Sequence, residues 1–437
     1  MEQHTAAREL ADFLKDSPTA FHAVKRMGEE LEAHGYVRLW ESGTWELRPN
    51  GRYYVTRNDS SVIAFHVGAV KGRWNFQIGA SHSDFPTFKV KENPELEVQK
   101  KYIQLNTEGY GGMLCATWFD RPLSVAGRLI VKEDGHFVTK LVKVDRDLIL
   151  IPSVAIHMNR KANEGFPYNP QIDLLPLFGD GSAKGDFKKL IARAAGVTED
   201  AVYGSDLYLY SRQEPSVWGA KGEFISAQHL DDLQCAYGVL QGFLQGSPKD
   251  SVNVYACFDN EEVGSRTKQG ADSTFLYDTL SRIHAGLGGT RESFYQALAE
   301  SFLVSADNAH AVHPNHPEKT DARNCVYMNE GIVIKSHAGQ KYTSDAVSIA
   351  LFRELCECAE VPVQFFANRS DQAGGSTLGN ISASKVSVHS VDIGLAQLAM
   401  HSSYETAGMM DTGYLIRAMK AYYSARISEE KGVRSIV

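Results

Sequence analysis

The sequence predicts an α/β protein in which a mixed, mainly parallel sheet flanked by helices is interrupted by a more β-rich insertion. Apolar strand-like runs such as NFQIGASH, VNVYACF, FLVSAD and GIVIK alternate with helical patterns towards both ends of the chain. Such alternation favours parallel pairing. The middle has a different texture, with the β runs AGRLIVK and HFVTKLVKV set among Pro/Asn/Gly-rich loops such as NEGFPYNPQ. At 437 residues, 43% hydrophobic and 22% charged, the chain has ordinary globular composition. That length suffices for two or three domains of roughly 150 residues. The simplest division is a discontinuous α/β domain over 1–92 and 225–437, split by the insertion over 93–224.

In chain order, two amphipathic helices come first. One carries Leu10, Phe13 and Leu14 at helical spacing; the other starts at SPTAFHAV, with Ser17 as the expected cap and Pro18 just inside. Strands follow at RYYVTR, VIAFHVG and NFQIGASH, the last running into His82 and Asp84. The insertion ends after a helix near DFKKLIARAAG. Beyond it come the strands VNVYACF, FLVSAD and GIVIK, a helix at SDAVSIALFRELCECAE, strands at VPVQFFA and VSVHSVDIG, and a terminal helix around TGYLIRAMKAYYSA.

Charge and cysteine usage narrow the function. The net charge is −8 and no dense Lys/Arg run occurs, which argues against a nucleic-acid partner. None of the six cysteines forms a CxxC pair, and most lie in apolar surroundings, as expected of thiols in a reducing cytoplasm. The first residues lack a basic segment followed by an apolar one, and no run reaches membrane-spanning length. A cytoplasmic protein with no membrane partner is expected.

The stretch FDNEEVGS, residues 258–265, carries the chemistry. It places Asp259, Glu261 and Glu262 at the end of a buried strand, where like charges resist ionising together. Four other apolar runs end the same way: SHSD (His82, Asp84), HLDDL (Asp231, Asp232), SADNAH (Asp307, His310) and LAMHS (His401). Each alone has a plain structural reading as a cap, a helix start or a solvated loop tip. Together they mark one crevice beyond the carboxyl ends of the strands. Converging carboxylates and imidazoles repel without a cation, and the donor set suits two divalent ions: zinc, manganese or cobalt. One carboxylate would bridge the ions, and of the Glu261–Glu262 pair one would ligate while the other acts as base.

Motifs spread in order from about residue 15 to 425 resemble the aspartyl aminopeptidase family of dinuclear zinc metallopeptidases. They are SHSDFPTFKVK, YGGMLCATWFDRPLSVAGRLIVK, IPSVAIHMNRKANEGF, DNEEVGS, SADNAHAVHPN and LAMHSSYE. The resemblance implies two zinc ions per subunit, with manganese or cobalt as alternatives. His82 and Asp307 would complete one site, Glu262 and His401 the other, with Asp231 bridging. Glu261 would take a proton from the shared water and deliver it to the leaving amine, while Asp84 orients His82. The inserted domain would serve dimerisation, and His157 on its loop would reach a neighbouring subunit's site in a homo-oligomer, a dodecamer built from dimers. GIVIKSHAGQKYTSD resembles the stretch lining the substrate pocket. Lys335 would face an acidic first residue of a peptide substrate, with Tyr342, Gly375, Ser376, Met400 and His310 around it.

The sequence departs from the family pattern at Asp232 and Asp345, each an acid where an amide is usual, and across NRSDQAGGSTLGN. The added acidity bears on metal preference and on selection for Asp or Glu. The reading is therefore an aminopeptidase removing N-terminal, preferentially acidic residues. The alternatives are an aminopeptidase of broader, neutral specificity and a dinuclear amidohydrolase or deacylase with no need for a free α-amino group.

Overall fold

The computed structural model describes residues 2–430 and 432–437, which fold as a mixed α/β protein with several sheets. The largest sheet has nine strands. At its centre Asn75–His82 lies between Ser251–Phe258 and Phe302–Ala306 and is parallel to both, and Phe302–Ala306 is parallel to His389–Gly394. Ser61–Val67 and Arg52–Arg57 extend one side antiparallel, and Val37–Arg38 ends it. Ile332–Lys335 and Val363–Phe366 finish the other.

Alternation along these strands sorts side chains to two faces. Val62, Ala64, Tyr255 and Cys257 pack with the helices Glu2–Asp16, Ala20–Ala33, Leu230–Gln245 and Asp411–Ser424. Ile63, Phe65, Val254 and Ala256 pack with Phe275–Gly286 and Arg291–Ala299 on the opposite face. Every residue of Asn75–His82 and Ser251–Phe258 is buried, which explains why both read as continuous apolar or small runs in sequence.

A second sheet of six strands is antiparallel throughout and runs, in spatial order, His136–Lys143, Leu123–Glu133, Val202–Ser211, Thr87–Val98, Tyr102–Tyr110, Leu177–Asp180. It has its own core around Phe88, Leu105, Trp118, Val125 and Leu209. A third sheet is assembled from short strands: Ser216–Trp218, Phe224–Ala227, Glu405–Gly408, Ala396–Leu398 and Ala309–His310.

Two local expectations change. The second helix begins at Ala20 with Thr19 in the cap position, and Ser17 is buried with its hydroxyl unpaired. Pro18 fixes the chain ahead of the helix instead of inside its first turn. Asp345, read as added acidity, caps the helix Ala346–Cys358: its carboxylate accepts the Ser348 N–H at 2.8 Å while the Ser348 hydroxyl accepts the Asp345 N–H at 3.0 Å. Its charge serves the helix N-terminus.

Candidate metal centre

Adjacent parallel strands deliver the acidic residues to one edge. His82 pairs in register with Phe258, which precedes Asp259–Glu262. Ala306 precedes Asp307 and pairs with Ile393. Asp231 enters from the start of the helix Leu230–Gln245, where its own backbone is not helical (φ −84°, ψ 111°). His401 enters from a turn of the third sheet with its backbone left-handed at φ 66°. At Gly394 a Cβ would collide with the Asp307 carbonyl, so only glycine lets that strand pass so near the site.

The donor atoms converge. Among the described residues His82, Asp231, Asp232 and Asp307 each offer one ligand atom, all within 4.8 Å of one another; so do Asp231, Glu262 and His401, and so do His82, Glu261 and Glu262. Asp231 is shared: its Oδ1 lies 3.7 Å from His82 Nε2 and its Oδ2 3.3 Å from His401 Nε2. Glu262 Oε1 is also 3.3 Å from His401 Nε2. These separations are long for hydrogen bonds. Two ligands each about 2.0–2.1 Å from one tetrahedral ion stand roughly 3.3 Å apart, so the spacing suits a shared cation. Asp231 Oδ1 and Asp232 Oδ1 are buried with no hydrogen-bond partner, oxygens that an ion would satisfy. The residues therefore fit divalent ions.

The ligand backbones are gripped by further carboxylates. The Asp84 carboxylate accepts the Glu261 N–H at 3.0 Å, the Glu262 N–H at 3.1 Å and the Tyr110 hydroxyl at 2.7 Å. Asp232 accepts the His82 N–H at 3.1 Å. Glu405 accepts those of His401 at 2.7 Å and Asp231 at 3.0 Å. His82 Nδ1 is nearer the Asp84 backbone carbonyl, at 3.0 Å, than its carboxylate, at 3.5 Å. Asp84 thus fixes the His82 ring through its main chain and the Glu261–Glu262 turn through its side chain. Asn260 sets that turn, left-handed at φ 63°; it donates to Tyr110 Oη and accepts from Thr267 and Gln269.

Proton affinities rise over most of the cluster, while Asp231, against its burial, is held below the usual carboxylate range by His401 and His82. Burial and the Asp231 charge push the Glu262 carboxyl up to about 7. Burial, then Asp307, Glu262 and Asp84, hold Glu261 well above the usual carboxylate range. Burial opposes charge on His401, yet the facing carboxylates of Asp231 and Glu262 raise it to about 11. His82 likewise rises against its burial, through Asp232, Asp231 and Asp84. Glu261, Glu262 and both imidazoles moving the same way report a strongly negative potential, one that attracts cations.

The remaining predicted residues are dispersed. Lys335 is 3% exposed; its Nζ donates to the Asn308 carbonyl at 2.8 Å, lies 3.6 Å from Asp307 Oδ1 and sits 5.5 Å from the centre of the Tyr342 ring. Tyr342 is buried. Gly375 and Ser376 are exposed on a loop tied to the Tyr342 segment, since Lys341 Nζ donates to the Gly374 carbonyl at 2.7 Å. His310 packs against Phe366, and Met400 directly precedes His401, half-buried. His157 is exposed and forms no hydrogen bond or ion pair with the cluster among the described residues.

A family model described as "Aminopeptidase I zinc metalloprotease (M18)" matches residues 13–423. The chain belongs to the M18 peptidase family. It is 46% identical over 425 residues to a probable M18 family aminopeptidase 2 of Clostridium acetobutylicum, covering 96% of this chain and 98% of that protein. Its fold matches a solved structure described as the Ape4 and Nbr1 complex at TM-score 0.92 and 34% identity, covering 96% and 86% of the two chains. It matches the S. cerevesiae mApe1 dodecamer at TM-score 0.83 and 25% identity, covering 97% of each. The M18 chain is a metalloaminopeptidase, a peptide-bond hydrolase of a zinc family.

Proposed function

We propose that this M18 enzyme is a dinuclear aminopeptidase that removes the N-terminal residue of peptides with a preference for Asp or Glu. The observation that carries the dinuclear reading is Asp231, whose two oxygens face His82 and His401 on opposite sides. One ion position would be held by His82, Asp231 and Asp307, the other by Asp231, Glu262 and His401. Zinc is the expected ion, with manganese or cobalt able to serve. When bound, the ions supply Lewis acidity that polarises the scissile carbonyl and lowers the pKa of water. Glu261, beside both His82 and Glu262 and fixed by its N–H to Asp84, takes the proton of the attacking water and returns it to the leaving amine. Tyr342, Gly375, Ser376, Met400 and His310 would line the pocket.

A basic Lys335 amine next to the Asp307 position supports the acidic preference. Its burial and its existing contacts with Asp307 and Asn308 favour the second reading, a broader specificity. We further infer that the six-stranded sheet is the core of an inserted dimerisation domain spanning about 93–224, with 1–92 and 225–437 forming the catalytic domain. The strand Thr87–Val98 crosses that boundary and links the two. The mApe1 dodecamer and the exposed apolar loop around His157 support a homo-oligomer, a dodecamer built from dimers in which His157 reaches a neighbour's site. Free cysteines throughout are consistent with a cytoplasmic enzyme.

The test is hydrolysis of aminoacyl p-nitroanilides by ion-stripped protein reloaded with zinc, manganese or cobalt. Turnover of Asp and Glu substrates above Leu, Ala and Lys is expected, with N-acetylated controls inert. Glu261→Gln should lower kcat by about 10²–10⁴ while still binding ions. Cleavage of acetylated substrates at equal rate would sink the exopeptidase reading. Preference for neutral residues would overturn the acidic pocket alone.

A further inference from the structure

We propose that Glu405 is the positioning residue of the second ion position, holding Asp231 and His401 in register; this rests on the dinuclear reading. Glu405 is 1% exposed and, among the described residues, forms no ion pair with lysine, arginine or histidine. Its carboxylate is spent on two backbone donors of the proposed ligands: Oε1 accepts the His401 N–H at 2.7 Å and Oε2 the Asp231 N–H at 3.0 Å. The fold explains how one side chain reaches both. Glu405 opens the strand Glu405–Gly408 and pairs in register with Ala227, just before the helix that carries Asp231 begins at Leu230. His401 stands one turn earlier on Glu405's own segment. A single carboxylate therefore ties two chain segments far apart in sequence.

Both ligands need this support. His401 has the left-handed φ of 66° that a residue with a Cβ resists, and Asp231, extended at its helix start, has an N–H with no intrahelical carbonyl to take it. Charge-assisted hydrogen bonds to their N–H groups hold these conformations. The carboxylate also lies beside the donors, where, once ionised, it would strengthen the pull on a cation. An isosteric glutamine cannot replace it. Its carbonyl would accept one N–H, and its NH₂ would face the other donor. The first position shares Asp231 but keeps His82 and Asp307, neither of which bonds to Glu405, whereas the second has two of its three ligands held there, so the loss should fall mainly on the second ion.

The test is manganese binding by full-length protein stripped of ions, followed by calorimetry and electron paramagnetic resonance. Wild type should bind two ions and give an exchange-coupled spectrum. Glu405→Gln should bind the second ion 10–100-fold more weakly and the first, which shares only Asp231, with a clearly smaller loss. Its spectrum near one equivalent should be that of an isolated ion, with coupling restored by excess manganese. Glu405→Asp, which keeps the charge on a shorter stem, should fall between them and decides the matter if the glutamine variant does not fold. Two ions bound by the variants at wild-type affinity would overturn the assignment. So would equal weakening of both ions with a lower melting temperature of the stripped protein, the mark of a merely structural residue. A wild type that binds only one ion overturns the dinuclear reading itself, and this assignment with it.

Discussion

The crevice and the loop over residues 152–172 break the usual rules of burial in opposite directions. The crevice buries charge, with His82, Asp231 and Asp232 at 1%, 3% and 0% exposure. The loop exposes apolar side chains: Met158 is 80% exposed and Ile172 71%, with Val154 and Ile156 half in solvent. Buried like charges are costly without a counter-ion, and clustered exposed apolar groups are costly in water. Each region is thus shaped for something outside the chain. One needs a cation and the other an apolar surface.

The sharpest way to break this comparison is to remove the ions. Chelation should abolish peptidase activity and lower the melting temperature. Titrating zinc back should restore both, with about 2.7 kcal/mol of stabilisation at a hundredfold excess over Kd. A melting temperature indifferent to ions would mean that the folded crevice does not hold them. Next in size is the loop. Met158→Glu with Ile172→Glu places charge where apolar groups are solvated, so stability of the single chain should change by only about 0.5 kcal/mol. Sedimentation velocity should nevertheless show smaller particles. An unchanged particle size would show that the loop is not covered in the assembly.

The narrowest effect, confined to acid pH, comes from imidazoles that burial drives the other way. Burial, aided by Lys143 and Lys25, lowers His22 to about 4, and burial aided by Arg52 lowers His66 to about 4. With folded values below the ordinary 6.5, both favour the neutral ring. Their contribution is complete above pH 6.5 and is lost as pH falls towards 4, on the order of 1 kcal/mol each. The double variant His22→Gln, His66→Gln should show a shallower loss of stability across that window than wild type. Equal slopes would refute the assignment. Among the described residues these, unlike the crevice histidines, lack a carboxylate partner, so the contrast isolates the effect of the acidic cluster.

Much of the site was legible because strand ends and residue types are local properties. His82, Asp231, Glu261, Glu262, Asp307 and His401 all follow apolar runs or sit in short motifs, and all converge. Glu405 was not legible. It lies within the same LAMHSSYE stretch, but its role depends on which backbone N–H groups it meets, a fact of tertiary register. The third sheet escaped for a different reason: strands such as Ala309–His310 and Ser216–Trp218 are too short for alternation to show. Asp345 looked like added acidity until its place at a helix start was fixed. Lys335 could not be told from a solvated strand-end lysine, because burial of its amine depends on Asn308 and Tyr342.

The order of strands in the largest sheet has a consequence for synthesis on the ribosome. Asn75–His82, buried along its whole length, is flanked by Ser251–Phe258 and Phe302–Ala306, so its first neighbour is made roughly 170 residues later. At about 5–20 residues per second that is a wait of roughly 10–35 s. The six-stranded sheet, complete by Ser211, can close during that interval. Nascent chains stalled near residue 230 should therefore resist protease between Thr87 and Ser211 while being cut around Asn75–His82. The strand that ends in the candidate metal centre spends its first seconds as exposed chain, the window in which a chaperone would be needed.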